Sequence, residues 1–68
     1  MMQYKNKQGN IFYVAQNGED ANRMPIYSVF CSAPEQAEEL PIGSYHTEQG
    51  ALAMIETMAK NRGWQRIE

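Results

Sequence analysis

Apolar and polar positions alternate most clearly in PIYSVFC, where Tyr27, Val29 and Cys31 fall on one side and Ile26, Ser28 and Phe30 on the other. A period of two with this β-branched and aromatic content predicts a strand. IFYVA has the same period, with Ile11, Tyr13 and Ala15 opposed to Phe12 and Val14. Both of its sides are apolar, which predicts an inner strand. QYKNK and NIFYVA flank Gln8 and Gly9, a hairpin pattern that would bring Tyr4 close to Phe12 or Tyr13.

Asn17-Gly18 is the strongest turn dipeptide in the chain, and no new strand can begin before about Pro25, so NGEDANRM is expected to form a long polar loop. SAPE has the form of a capping box, Ser32 with Glu35, and predicts a short helical turn from Ala33 to Glu39. Pro41 ends that turn, and IGSY reads as a weak extended segment because Gly43 disfavours an interior strand.

The last element is the best delimited. Thr47 suits an N-cap, Glu48 complements the positive helix end, Lys60 and Arg62 the negative end, and Gly63 supplies a left-handed stop. Ala51, Leu52, Ile55, Met58 and Ala59 recur at helical spacing, so the helix should cover a sheet with Leu52 and Ile55 buried. The closing WQRI either returns as an edge strand or packs its Trp. The expected fold class is therefore α+β, a small and mostly antiparallel sheet of three to four strands with one C-terminal α-helix packed on one face.

Size narrows this further. A chain of 68 residues cannot build two cores, so residues 1–68 are expected to form a single domain with a thin stability margin, for which a homodimer is a common remedy. The lone Cys31 cannot close an internal disulfide, and with a single His46 there is no ligand set for a structural zinc, which suits a reducing cytoplasm. No apolar run reaches the roughly 20 residues of a spanning helix, and MMQYKNKQGN lacks a signal-peptide core.

The net charge of −2 weakly opposes nucleic acid, but Lys5, Lys7, Lys60, Arg62 and Arg66 gather near the two ends, and seven acids from Glu19 to Glu56 lie between, relieved only by Arg23. Tests for chemistry are negative. Cys31 and His46 are the only conceivable nucleophile and base, and Cys31 alternates in step with core positions. His46-Thr47-Glu48 matches the H-x-E of zinc deaminases without the cysteine ligands that chemistry requires. The glycines have no phosphate-cradling spacing, and Glu35, Glu38 and Glu39 read as a solvated face. No enzyme activity, cofactor or metal is expected.

Seven aromatic residues are more than so small a sheet can hide, and Met24 sits in the polar loop, so contact with another protein is the leading expectation. The residues expected to bind it are Tyr4, Lys5, Lys7, Met24, Trp64 and Arg66. Tyr45, Thr47 and Ala51, followed by Lys60 and Asn61, resemble the helix-opening Y-x-T-x-x-x-A of two small families: the arm-type DNA-binding domain of phage integrases and the YegP-like bacterial proteins. Both resemblances imply three strands followed by a helix. The integrase resemblance also implies a sheet carrying Lys and Arg, which IFYVA and IYSVFC lack.

A small acidic chain also has the general character of phage or mobile-element accessory proteins, including inhibitors of host defence such as anti-CRISPR proteins. Binding of nucleic acid through the basic ends, with Tyr4 or Trp64 stacking on bases, is the first alternative. A small bacterial protein with a structural role is the second.

Overall fold

The computed structural model describes residues 2–68. Its elements are β1 (Gln3–Lys5), β2 (Ile11–Glu19), β3 (Pro25–Ser32), β4 (Leu40–Tyr45), α1 (Glu48–Arg62) and β5 (Gln65–Arg66). The strands form one sheet in the order β4-β3-β2-β1-β5, with every neighbour antiparallel. The α+β class and the covering C-terminal helix stand as expected. The sheet has five strands rather than three to four.

Two local causes add the extra strand area. Gly63, at φ 71, reverses the chain after the helix, and WQRI then returns along β1, pairing Gln65 with Lys5 and Arg66 with Tyr4. Pro41 does not exclude β4, because β4 is an edge strand and Pro41 adjoins a register irregularity, both places where a sheet tolerates proline. The register slips between Val29 and Phe30, leaving Ile42 in an irregularity.

The β1–β2 hairpin forms where expected. The Asn6 side chain accepts from the N–H groups of Gln8 and Asn10 at 3.1 and 2.9 Å, and Gly9 supplies φ 88. Two other expectations are corrected. Asn17-Gly18 does not turn the chain; Gly18, at φ 71, is absorbed within β2, where the register shifts between Gln16 and Glu19. The true turn spans only Asp20 to Met24, because Asp20 Oδ1 accepts from the N–H groups of Asn22 and Met24 and pins it shut.

The short helical turn from Ala33 to Glu39 is also absent. Ser32 is held in the β3 ladder opposite Ile11, and the chain after it makes a tight turn closed by Gln36 N–H to Ala33 O at 3.2 Å. With only Ala33, Pro34 and Ala37 as apolar side chains, that stretch has no helical face to bury, and a helix so short is not stable on caps alone.

The helix begins and ends as its caps require. Thr47 Oγ1 accepts from Gly50 N–H at 3.0 Å, and Trp64 N–H returns to Ala59 O at 2.9 Å. Thr47→Ala should cost about 1 kcal/mol, read as a shift in the denaturant midpoint with unchanged slope. Buried Ala51, Ile55 and Ala59 face the sheet at intervals of four residues, and Leu52 lies on the flank of that stripe, only half-buried. Beneath the helix, Tyr4, Phe12 and Val29 complete the core, and Met2, Val14, Cys31, Tyr45, Met58 and Trp64 pack around it. Among the described residues no helix is long and apolar enough to cross a membrane.

Candidate functional site

Because side chains alternate across a sheet, the pairing registers sort every strand residue onto one of two faces. Tyr4, Phe12, Val14, Val29, Cys31 and Tyr45 share the face under α1. Among the described residues no helix or strand lies over the opposite face. There Gln3, Tyr13, Phe30 and Pro41 stand in one transverse row, beside a second row of Lys5, Ile11 and Ser32 and a third of Ala15, Ser28 and Ser44.

The centre of this open face is apolar and ordered. The Tyr13 and Phe30 rings stack with centroids 5.6 Å apart. Ile11 and Ala15 flank them half-buried, and Ile67, 46% exposed, follows β5 with its N–H bonded to Gln3 O beside the row. Ser28 is fully buried, and its hydroxyl is satisfied by Ser44 Oγ at 3.0 Å and by the Asn17 amide at 3.2 Å.

Glu39 closes the face at its β4 margin, where the Tyr13 hydroxyl donates to Glu39 Oε2. Desolvation, followed by this bond and the neighbouring negative charge, pushes the Tyr13 phenol up from 10.0 to about 12. A phenol whose folded value is raised contributes stability that is whole below pH 10 and is lost as pH climbs from 10 to 12. Between those values the melting temperature of wild type should therefore fall more than that of Tyr13→Phe. Parallel curves for the two proteins would show that this contact contributes nothing.

The six residues expected to bind a partner do not form one site. Tyr4 is 8% exposed in the core, and Trp64 stacks on Phe12 with centroids 3.7 Å apart and planes 8° from parallel. Tyr4 therefore offers no surface for stacking on a base, and Trp64 has one face covered, while the Arg62 guanidinium lies 5.7 Å from its ring centroid. Lys5 and Lys7 line a shallow recess with Asn6, Gly63 and Gln65. Arg66 is adjacent but shares the face of Tyr4, whereas Lys5 is on the open face, so the basic groups straddle the β5 edge instead of converging around Tyr4 and Trp64. Met24, 53% exposed, is in the turn at the far end of β2.

Cys31 and His46 are also held apart. Cys31 is level with Leu40 at one end of β4 and His46 follows Tyr45 at the other, about 13 Å along the strand from Tyr27 to Cys31. His46 instead lies 3.5 Å from the Asp20 carboxylate, whose pKa is lowered by the Met24 and Asn22 N–H groups and, less, by His46. No group of three His, Cys, Asp or Glu side chains converges among the described residues.

The residues that sequence reasoning missed are Ile11, Tyr13, Phe30, Glu39 and Ile67. For Ile11, Tyr13 and Phe30 the signal was the apolar character of both sides of IFYVA and IYSVFC, which implied a second cover that one helix cannot provide; Glu39 and Ile67 carried no such signal. Compared with known protein families, with curated proteins and with solved structures, the chain matches none.

Proposed function

We propose that this chain is a non-enzymatic protein-interaction module that docks through the open face of its sheet. The observation that carries the reading is the half-buried Tyr13–Phe30 stack with Ile11 beside it and exposed Ile67 at the margin, an aromatic and aliphatic centre on a strand scaffold. Anchors of this kind dominate protein interfaces, where charged residues are depleted at the centre and retained at the rim. Lys5 and Glu39 supply that rim, and Lys7 and Arg66 on the adjoining edge would steer an acidic partner during approach.

Blocking a surface needs no catalytic group. Inhibition of a host system by a phage or mobile-element accessory protein is a form of activity that so small a chain can deliver, and it is part of the proposal. Nucleic-acid binding is less well supported, since Tyr4 is buried, Trp64 is half-covered and the open face carries only Lys5 as a cation among its paired positions.

The test is capture from the native host with three baits: wild type, Phe30→Asp, and Lys7→Glu with Arg66→Glu. A protein held by wild type should be lost with Phe30→Asp at every salt concentration. The charge reversal should slow association, and that effect should fade as salt rises. Equal retention by wild type and Phe30→Asp would overturn the docking surface. A DNA mobility shift at low salt that disappears in the charge-reversed protein would move the reading to nucleic acid.

A further inference from the structure

We propose that the first occupant of the open face is a second copy of this chain, stacked sheet on sheet about a two-fold axis that runs parallel to the strands between β2 and β3. This rests on the open face being a docking surface, and it assigns the partner from charge and area.

The pairing registers put Lys5, Ile11 and Ser32 in one row. Leu40 is opposite Cys31, so Glu39, one residue earlier, is level with Ser32 and ends the same row at the β4 margin. The Tyr13–Glu39 bond confirms that its carboxylate is on the open face. A cation on β1 and an anion at the β4 margin thus share one row, with β2 and β3 between them and Gln65 of β5 outside Lys5.

A two-fold axis along the strands preserves rows and exchanges edges. β2 then lies over β3 of the partner and β1 over its β4. Lys5 of each copy meets Glu39 of the other, twice per dimer, and Tyr13 meets Phe30 in a four-ring centre. Glu39 Oε2 takes the Tyr13 hydroxyl, leaving Oε1 for the incoming ammonium. Turning the axis perpendicular to the strands would instead place β1 over β1 and set Lys5 against the opposite end of the sheet, losing both pairs.

The dimensions are compatible. Packed sheets stand about 10 Å apart at roughly 30°. Lys5 and Glu39 are each about one and a half strand spacings, near 7 Å, from the axis. The 30° rotation displaces them by only about 4 Å, within the reach of the two long side chains.

Surface area points the same way. The chain exposes 4828 Å², whereas a compact monomer of its mass is expected to expose about 4,400 Å². The surplus of roughly 400 Å² is below the ~800 Å² that each partner buries in a standard interface, and it is surface that a partner could cover. The alternative edge-to-edge dimer through β4 is blunted by Pro41, the slipped register and Glu38 and Glu39.

The experiment is sedimentation equilibrium of the whole chain from about 1 to 500 μM at low salt, on wild type, Lys5→Glu, Glu39→Lys, the double swap, and an equimolar mixture of the two single variants. Wild type should dimerise. Each single variant, with two like-charge contacts, should dissociate at least about tenfold more readily. The double swap and the mixture should both recover, because each restores two opposite-charge contacts. Recovery in the mixture requires contact between copies and cannot come from a purely internal effect of either substitution.

Wild type that stays monomeric throughout, or a dimer indifferent to all four changes, would overturn the second-copy assignment. In either case, loss of a captured partner by Phe30→Asp would preserve the docking face for another protein. Retention of that partner would remove the face itself.

Discussion

Phe12→Ala should cost about 3 to 5 kcal/mol, the largest loss expected from any single truncation in this chain. Phe12 is 5% exposed on the central strand β2, between Tyr4 on β1 and Cys31 on β3, and its ring is the platform for Trp64. Truncation opens a cavity under the helix and also removes the stack that anchors the segment leading into β5. A domain of this size is expected to have a total stability of about 3 to 10 kcal/mol. The variant should therefore be largely unfolded at 37 °C or melt at least about 12 °C lower. Urea unfolding followed by Trp64 fluorescence checks this, and a melting point within about 3 °C of wild type would contradict the packing.

Ile55→Ala comes next, at about 2 to 5 kcal/mol. Ile55 is fully buried and is the one large side chain in the Ala51-Ile55-Ala59 stripe, where the flanking alanines let the helix lie close to Val29 and Phe12. Leu52→Ala should cost clearly less, since Leu52 borders a surface recess with Met2, Val14 and Glu48 and keeps part of its side chain in water. The two variants measured side by side in denaturant decide the helix rotation. A larger loss at Leu52 than at Ile55 would mean that the helix presents a different stripe.

That contrast shows what was legible in the sequence. Periodicity located the helix, and local chemistry at Thr47 and Gly63 marked its ends, because caps depend on neighbours in the chain. Which of Leu52 and Ile55 is central depends on the crossing of helix and sheet, and no local pattern carries that.

Asn17-Gly18 shows a conflict between local and long-range preferences. The dipeptide favours a turn, but the β2–β3 ladder and the Asp20 turn outweigh it, and Gly18 takes its positive φ inside a strand. SAPE gave a false helix for a related reason, as its capping residues were present but an apolar face was not.

The candidate site was less legible than the fold. Lys5, Lys7 and Arg66 were placed near one another by the return of β5 along β1, but the two-residue alternation of a sheet splits them between faces. Tyr4 and Trp64 looked available because aromatics outnumber core positions, and the sequence could not say which of the seven would be covered. The open-face rings, Tyr13 and Phe30, were visible only as the second apolar side of strands that should have had two covers.

Two copies of the chain should meet through the open face, with the basic edge only assisting. Amide chemical-shift mapping across a dilution series tests it most directly, since every strand and the helix report separately. Concentration-dependent shifts are expected at Ile11, Tyr13, Ala15, Phe30 and Ile67, with Glu56 and Lys60 on the exposed side of the helix unmoved. Shifts confined to Lys7, Arg62, Gln65 and Arg66, with the Tyr13 and Phe30 amides constant, would contradict it.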